Sequence, residues 1–278
     1  MSADWRKRLA LAIALGVAGG GVMSQTQALD PLPYARGLAT LLPLAWWSSE
    51  AGQTVAAAAM VCLLGLFVAG RRAPLAGWGF FVIVLVLHAV VRSVHPDETD
   101  RTQGAQMPCA TLVAWLVGSA LAPRLGREPD ELGGTLACGV VGAGYTMAAL
   151  SKLLASGLGW VDGPTLALMI YERGTGAGEP FETLRHAIGT SPRLCAIGMA
   201  GALAMEASGW LFVFRTARRP YAMAAFSFHL TSGLLLGYPH FDWAFTTLAW
   251  AWAAGGSRAR PRGPSAPAAP MPTAAPST

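Results

Sequence analysis

Four ionisable residues lie inside apolar stretches of this chain: Lys152, Glu206, His229 and His88. Their types suit proton transfer, since an amine can act as a base, a carboxylate can hold or pass on a proton, and an imidazole can do either near neutral pH. The chain has only two lysines, Lys7 in a basic head and Lys152 near the end of a small-residue apolar run, GGTLACGVVGAGYTMAALSKLL. A charged amine buried alone in such a run costs several kcal/mol or more, so Lys152 needs a water path, a partner or a neutral form. The alternative is an interfacial lysine whose stem lies along lipid with its amine in the headgroup layer. Glu206, in GALAMEASGWLFVF, has no charged neighbour in its own segment. It must be neutral, paired across helices, or open to a polar cavity. His229, in AAFSFHLTSGLL, and His88 could hold a proton or bind a head group; the alternatives are a cross-helix bond for Glu206 and His229, and simple packing for His88.

The elements that must position these residues follow from composition. With 53% hydrophobic and 13% charged residues and a mean hydropathy of +0.44, the 278 residues predict an all-α, polytopic membrane helical bundle. The net charge of +5 comes from short basic clusters between apolar segments, a pattern of membrane topology that excludes nucleic acid as a partner. Cys62, Cys109, Cys138 and Cys195 sit in or at the ends of apolar segments without the close pairing of a metal or redox motif, so no metal is expected.

About eight crossings are predicted, at 9–23, 54–70, 75–91, 107–121, 132–152, 194–214, 221–236 and 241–254, some of them short or re-entrant. The first has a signal peptide as its rival, and is read as a retained helix because the later segments alternate only if it stays. Between the first two, the Trp46-Trp47 pair suggests a short interfacial or re-entrant helix. An amphipathic piece is expected near 166–171 and a polar run near 172–186. Eight crossings place Arg6-Lys7-Arg8, Arg71-Arg72, Arg124 with Arg127, Arg215 with Arg218 and Arg219, and the arginines at 258, 260 and 262 on one side, which should be the cytoplasm. Both termini are then cytoplasmic, and the acidic HPDETDR loop lies outside. The organisation expected is a transmembrane domain over 1–255 and a disordered Pro/Ala-rich cytoplasmic tail over 256–278.

The stretch YTMAALSKLLASGLGWVDGPTLALMI resembles a segment of the vitamin K-dependent gamma-glutamyl carboxylases and their bacterial relatives, the horizontally transferred transmembrane (HTTM) domain proteins. The resemblance rests on a small-residue helix leading to Lys152-Leu153, then Trp160, then Asp162-Gly163. Further on, Glu206, Arg219-Pro220 and Phe228-His229 are similar to that family's membrane acid, Arg-Pro step and Phe-His pair, so the likeness covers 133–250 and fades over 1–132.

The resemblance implies a reduced vitamin K or other isoprenoid quinol as cofactor, a peptide or protein substrate, and a bacterial cytoplasmic membrane. Lys152 would be the base that activates the quinol, with Glu206 and His229 as the other catalytic groups, and His88, Trp160, Arg219 and Phe228 on the cofactor. Asp162 would cap the helix that follows it. Two departures count against glutamate carboxylation: no large extramembrane domain follows the helices, and the family's Asn-His pair before a middle helix is replaced by Ala105-Gln106-Met107-Pro108. A non-catalytic quinone- or lipid-binding protein or accessory subunit is therefore kept as an alternative. A quinone-linked thiol redox protein lacks a CxxC pair, and a transporter lacks an internal repeat. Oligomeric state is not encoded in any pattern of the chain.

Overall fold

The structure, a computed structural model, describes residues 4–26, 40–94, 106–173, 181–237 and 240–253. The described residues are helical throughout, joined by short turns. In chain order the helices are α1 (Asp4–Thr26), α2 (Leu44–Trp47), α3 (Glu50–Ala69), α4 (Ala73–Val94), α5 (Gln106–Leu121), α6 (Pro129–Ser156), α7 (Gly163–Arg173), α8 (Phe181–Gly189), α9 (Pro192–Ala207), α10 (Arg218–Leu236) and α11 (Phe241–Ala253). Three 3-10 turns, Ala122–Leu125, Gly157–Trp160 and Ser208–Val213, continue α5, α6 and α9 respectively.

The all-α membrane bundle expected from composition is what forms. Five of these elements, 50–69, 73–92, 106–125, 129–160 and 192–213, are long and apolar enough to cross a membrane. Their surfaces agree, because Val61, Leu75, Met147, Leu154, Leu158 and Ile197 stand more than half exposed. Such a surface suits hydrocarbon, whereas in water it would be a large unpartnered apolar patch. The HPDETDR loop and the tail 256–278 lie outside the described residues, as does the middle of the polar run near 172–186, residues 174–180; the last part of that run enters α8, which the sequence does not announce.

Helix ends follow local chemistry. Ser49 caps α3 by accepting from Gly52 N at 3.1 Å, and α6 and α9 both start with proline, where a missing N–H costs nothing. The helices α5 and α6 form a tight antiparallel hairpin, with α11 packed among α1, α10, α5 and α6. One core runs through these elements, from Leu15 and Phe80 to Tyr145, Phe212 and Trp250. A smaller one, Leu166, Ile170, Cys195 and Met199, fastens α7 to α9 beside the end of α6.

At 28 residues, α6 is about 42 Å long, longer than the hydrocarbon core of a bilayer. Lys152 is four residues from its C-terminal end, so it falls where the helix approaches the membrane boundary rather than at mid-span. The turn Gly157–Trp160 then folds back and carries Trp160 toward it.

Candidate functional site

The site is assembled on one face of α6. Tyr145, Ala149 and Lys152 lie at i, i+4 and i+7, a spacing that stacks them on one stripe with Tyr145 and Lys152 about 10.5 Å apart along the axis. Against that stripe pack α9, its 3-10 continuation and, further along, α11. Contact is close because two glycines meet. A methyl group on Gly142 would lie 2.9 Å from the Gly209 carbonyl oxygen, and one on Gly209 would lie 2.6 Å from the Gly142 carbonyl oxygen and 2.7 Å from Tyr145 Cβ. The absence of both side chains lets the backbone after Glu206 come against α6 and brings the carboxylate within reach of Lys152.

Lys152 Nζ donates to both oxygens of Glu206 at 2.5 Å. The lysine side chain is 24% exposed and the glutamate 8%. The amine therefore turns inward to a neighbouring helix instead of snorkelling along lipid, and Glu206 takes the cross-helix partner that its solitary position demands. Its outer side is covered by the Trp160 ring, whose centroid lies 4.9 Å from Nζ, a cation–π contact. Asp162, just beyond, accepts from Thr165 N at 3.1 Å and so caps α7. A side chain on Gly163 would collide with the Pro192 carbonyl, so the Asp-Gly step lets α7 start directly beside α9.

About two helical turns from Lys152 along α6 lies a second polar group built around Tyr145. Its hydroxyl contacts His229 Nε2 at 2.8 Å and Thr247 Oγ1 at 3.2 Å, joining α6, α10 and α11. Its ring stands against Tyr221 at 5.7 Å, His229 at 5.8 Å and Trp243 at 5.5 Å. Tyr221 in turn donates to the Met205 carbonyl at 3.2 Å, next to Glu206. The Glu206 carboxylate is within electrostatic range of both phenols, so the ion pair and the aromatic group adjoin. Two atoms here are buried without a hydrogen-bond partner among the described residues, His229 Nδ1 and Asp242 Oδ2.

Of the residues singled out in the sequence, Lys152, Glu206 and Trp160 come into direct contact, and His229 joins them through Tyr145 rather than by touching Lys152. Phe228 packs edge-on to His229 at 5.1 Å between ring centroids, on the half-buried side of α10. Arg219 is exposed at the opposite end of α10, ten residues and about 15 Å from His229, where it lies over Trp252 at 5.9 Å. The neighbouring Arg218 is the buried one, donating from Nε to the Phe212 carbonyl at 2.9 Å and from Nη2 to the Val213 carbonyl at 2.8 Å. His88 is half-buried on α4, which packs against α1, α3 and α5. No hydrogen bond among the described residues joins it to the ion pair.

Sequence reasoning passed over Tyr145, Thr247, Tyr221 and Asp242. Tyr145 carried a usable signal, its i−7 spacing from Lys152, and Asp242 another, as an acid opening an apolar segment. Thr247 and Tyr221 carried none. Among the described residues, no group of three or more His, Cys, Asp or Glu side chains could hold a metal ion. No protein-family model matches the chain, and neither does any curated protein or solved structure.

Proposed function

We propose that this chain is a membrane-embedded enzyme, similar to the vitamin K-dependent gamma-carboxylases, that binds a reduced isoprenoid quinone against α6, α9 and α10 and takes a proton from its hydroxyl with Lys152. The observation that carries this reading is the two-oxygen contact of Lys152 with Glu206 inside an otherwise apolar bundle. A base must first shed its own proton, and Glu206 is the group placed to receive it. The working form is then a free amine beside a glutamic acid, two neutral groups that suit a poorly hydrated site.

The residues fit a quinol. His229 Nδ1 is a buried atom in search of a partner, and Tyr145, Tyr221 and Trp243 offer ring faces and edges to an aromatic head group. When bound and oxygenated, a quinol supplies in the carboxylase family the strong base that removes a glutamate gamma proton before CO2 adds. Here Lys152 would take the quinol proton and return to the ammonium, Glu206 would release to water at the exposed edge of the pair the proton it had received from the lysine, and Trp160 would shield the amine on its other side. The acceptor is a peptide or protein side chain presented at the end of α6. In the same reading the chain crosses a bacterial cytoplasmic membrane eight times, the five long elements being joined by α1, α10 and α11. Both termini face the cytoplasm, with 1–255 as the membrane domain and 256–278 as a cytoplasmic tail.

A second reading has one observation in its favour: the ion pair by itself locks α6 to α9, as a non-catalytic quinone- or lipid-binding protein or accessory subunit would need. The experiment that separates the two uses purified protein in lipid, a reduced naphthoquinone, oxygen, CO2 and candidate peptides. Lys152→Arg preserves a bidentate partner for Glu206 but cannot act as a base. The variant should fold and bind quinol while losing about 100-fold or more in quinol oxidation, the scale of a lost general base. Wild-type protein that binds quinol yet forms neither epoxide nor quinone above the protein-free rate would reject the enzyme.

A further inference from the structure

Thr247, Tyr145 and His229 form a chain of hydroxyls and imidazole whose donors follow from one contact, that of Thr247 with the Trp243 carbonyl. The Thr247 hydroxyl donates its single proton to the Trp243 carbonyl at 2.8 Å. Its oxygen is then an acceptor toward Tyr145, so the contact at 3.2 Å requires Tyr145 to donate. With its proton spent, the Tyr145 oxygen can only accept from His229 across the 2.8 Å contact, which places the ring proton on Nε2. A neutral imidazole has one donor and one acceptor nitrogen, and Nδ1 is therefore the bare acceptor. It lies within a side chain only 4% exposed and has no partner among the described residues. In a doubly protonated ring Nδ1 would instead be a charged donor, buried with nothing to receive it, which is costly.

From this chain of donors we infer that Thr247 and Tyr145 set the tautomer of His229 so that the site selects the reduced over the oxidised ring of a quinone. A hydroquinone hydroxyl can donate to a bare Nδ1. A quinone carbonyl brings a second acceptor to the same atom and leaves both unsatisfied. The inference rests on the quinol site proposed above and adds what that site distinguishes. Thr247 and Tyr145 are positioning residues, acting on the ligand only through His229.

The decisive variant is Thr247→Val. It removes the acceptor that draws the Tyr145 proton, and the phenol is then free to donate to Nε2. His229 must carry its proton on Nδ1 in that case, and the preference should turn toward the carbonyl. Full-length protein in nanodiscs, labelled with 15N-histidine and with the His229 signal assigned by its loss in His229→Gln, should show an Nε2–H ring in wild type and an Nδ1–H ring in Thr247→Val. Titration with a short-chain naphthohydroquinone under strict reduction, and with its quinone, should give about tenfold tighter binding of the hydroquinone to wild type, the factor expected when one buried hydrogen bond separates two ligands. The ratio should fall below one in Thr247→Val and recover in Thr247→Ser, which keeps the hydroxyl. An Nδ1–H ring in the wild type, needing no variant at all, overturns the inference. So does equal binding of the two forms, and that result leaves a quinone site standing. Failure of wild type to bind either form removes the site and the inference together.

Discussion

Lys152 and Glu206, separated by 54 positions in the chain, meet with the lysine Nζ on both carboxylate oxygens. Each is the only charged partner within hydrogen-bonding reach of the other among the described residues. This pairing has a consequence for stability that differs from its consequence for chemistry. Removing one charge strands the other in an apolar bundle, whereas removing both leaves two neutral side chains.

Lys152→Met should therefore lower stability by about 3 kcal/mol, and Lys152→Met combined with Glu206→Gln should recover most of that loss. Thermal or denaturant unfolding of the two proteins in the same detergent is the measurement. Equal destabilisation by the single and double variants would show that the lysine stem, not its charge, is what the fold uses.

The two adjacent arginines at the start of α10 should behave very differently. Arg218 is buried and donates to the Phe212 and Val213 carbonyls, tying off the 3-10 turn that follows Glu206. Arg219 is exposed over Trp252. Arg218→Ala should cost about 3 kcal/mol, since it removes two hydrogen bonds from a charged donor and orphans two carbonyls. Arg219→Ala should cost under about 1 kcal/mol, the worth of an exposed cation–π contact. Comparable losses in unfolding experiments would contradict this division.

The ion pair was legible in the sequence because a charge in an apolar segment must find a partner, and only a few such charges exist. The helices were legible for a related reason: apolar runs such as 54–70 and 132–152 correspond to Glu50–Ala69 and Pro129–Ser156, which extend past the apolar residues to their caps. Tyr145 was legible only as a residue on the same helical stripe as Lys152, not as a member of a polar group. An aromatic on an apolar helix is indistinguishable from core packing until the elements carrying His229 and Thr247 are placed beside it, 84 and 102 positions away. Arg218 was hidden among basic residues that read as a topology signal, since nothing local says which of them turns inward. Helix α8 was missed because its apolar face is short and its Arg185 looks like a surface charge, although the side chain is buried and donates from Nε to the Leu234 carbonyl at 2.8 Å.

Topology can be tested on two described, exposed positions. In a cysteine-free background, Arg127→Cys should react with a membrane-impermeant maleimide only from the cytoplasmic face and Thr183→Cys only from the opposite one. The expectation follows from the one-sided basic clusters, which concentrate at Arg71-Arg72, Arg124 with Arg127, and Arg215 with Arg218 and Arg219. Labelling of both cysteines from one face would break the alternation of crossings between them.

The glycine-to-glycine backbone approach between α6 and the turn after Glu206 supplies a test of how tightly the site is held. Gly209 lies three residues after Glu206, and a methyl group there would meet both the Gly142 carbonyl and Tyr145 Cβ inside normal contact distance. Neither neighbour is the flexible end of a side chain, so relief requires the segment to move away from α6 as a unit. Gly209→Ala should cost about 1 to 3 kcal/mol, the range for overpacking a tight contact, and should also draw Glu206 away from Lys152. Gly201, on the exposed side of α9, has nothing within 4 Å of an added methyl group. Gly201→Ala should be neutral or stabilise by up to about 1 kcal/mol through helix propensity. Unfolding measurements give the stabilities, and quinol titration gives the state of the site. Gly209→Ala should weaken binding where Gly201→Ala does not, because only the first displaces residues that face Lys152 and Tyr145. If both alanines leave stability and binding unchanged, the helices are free to separate at this crossing, and the geometry of the ion pair is maintained by something other than the glycine contact.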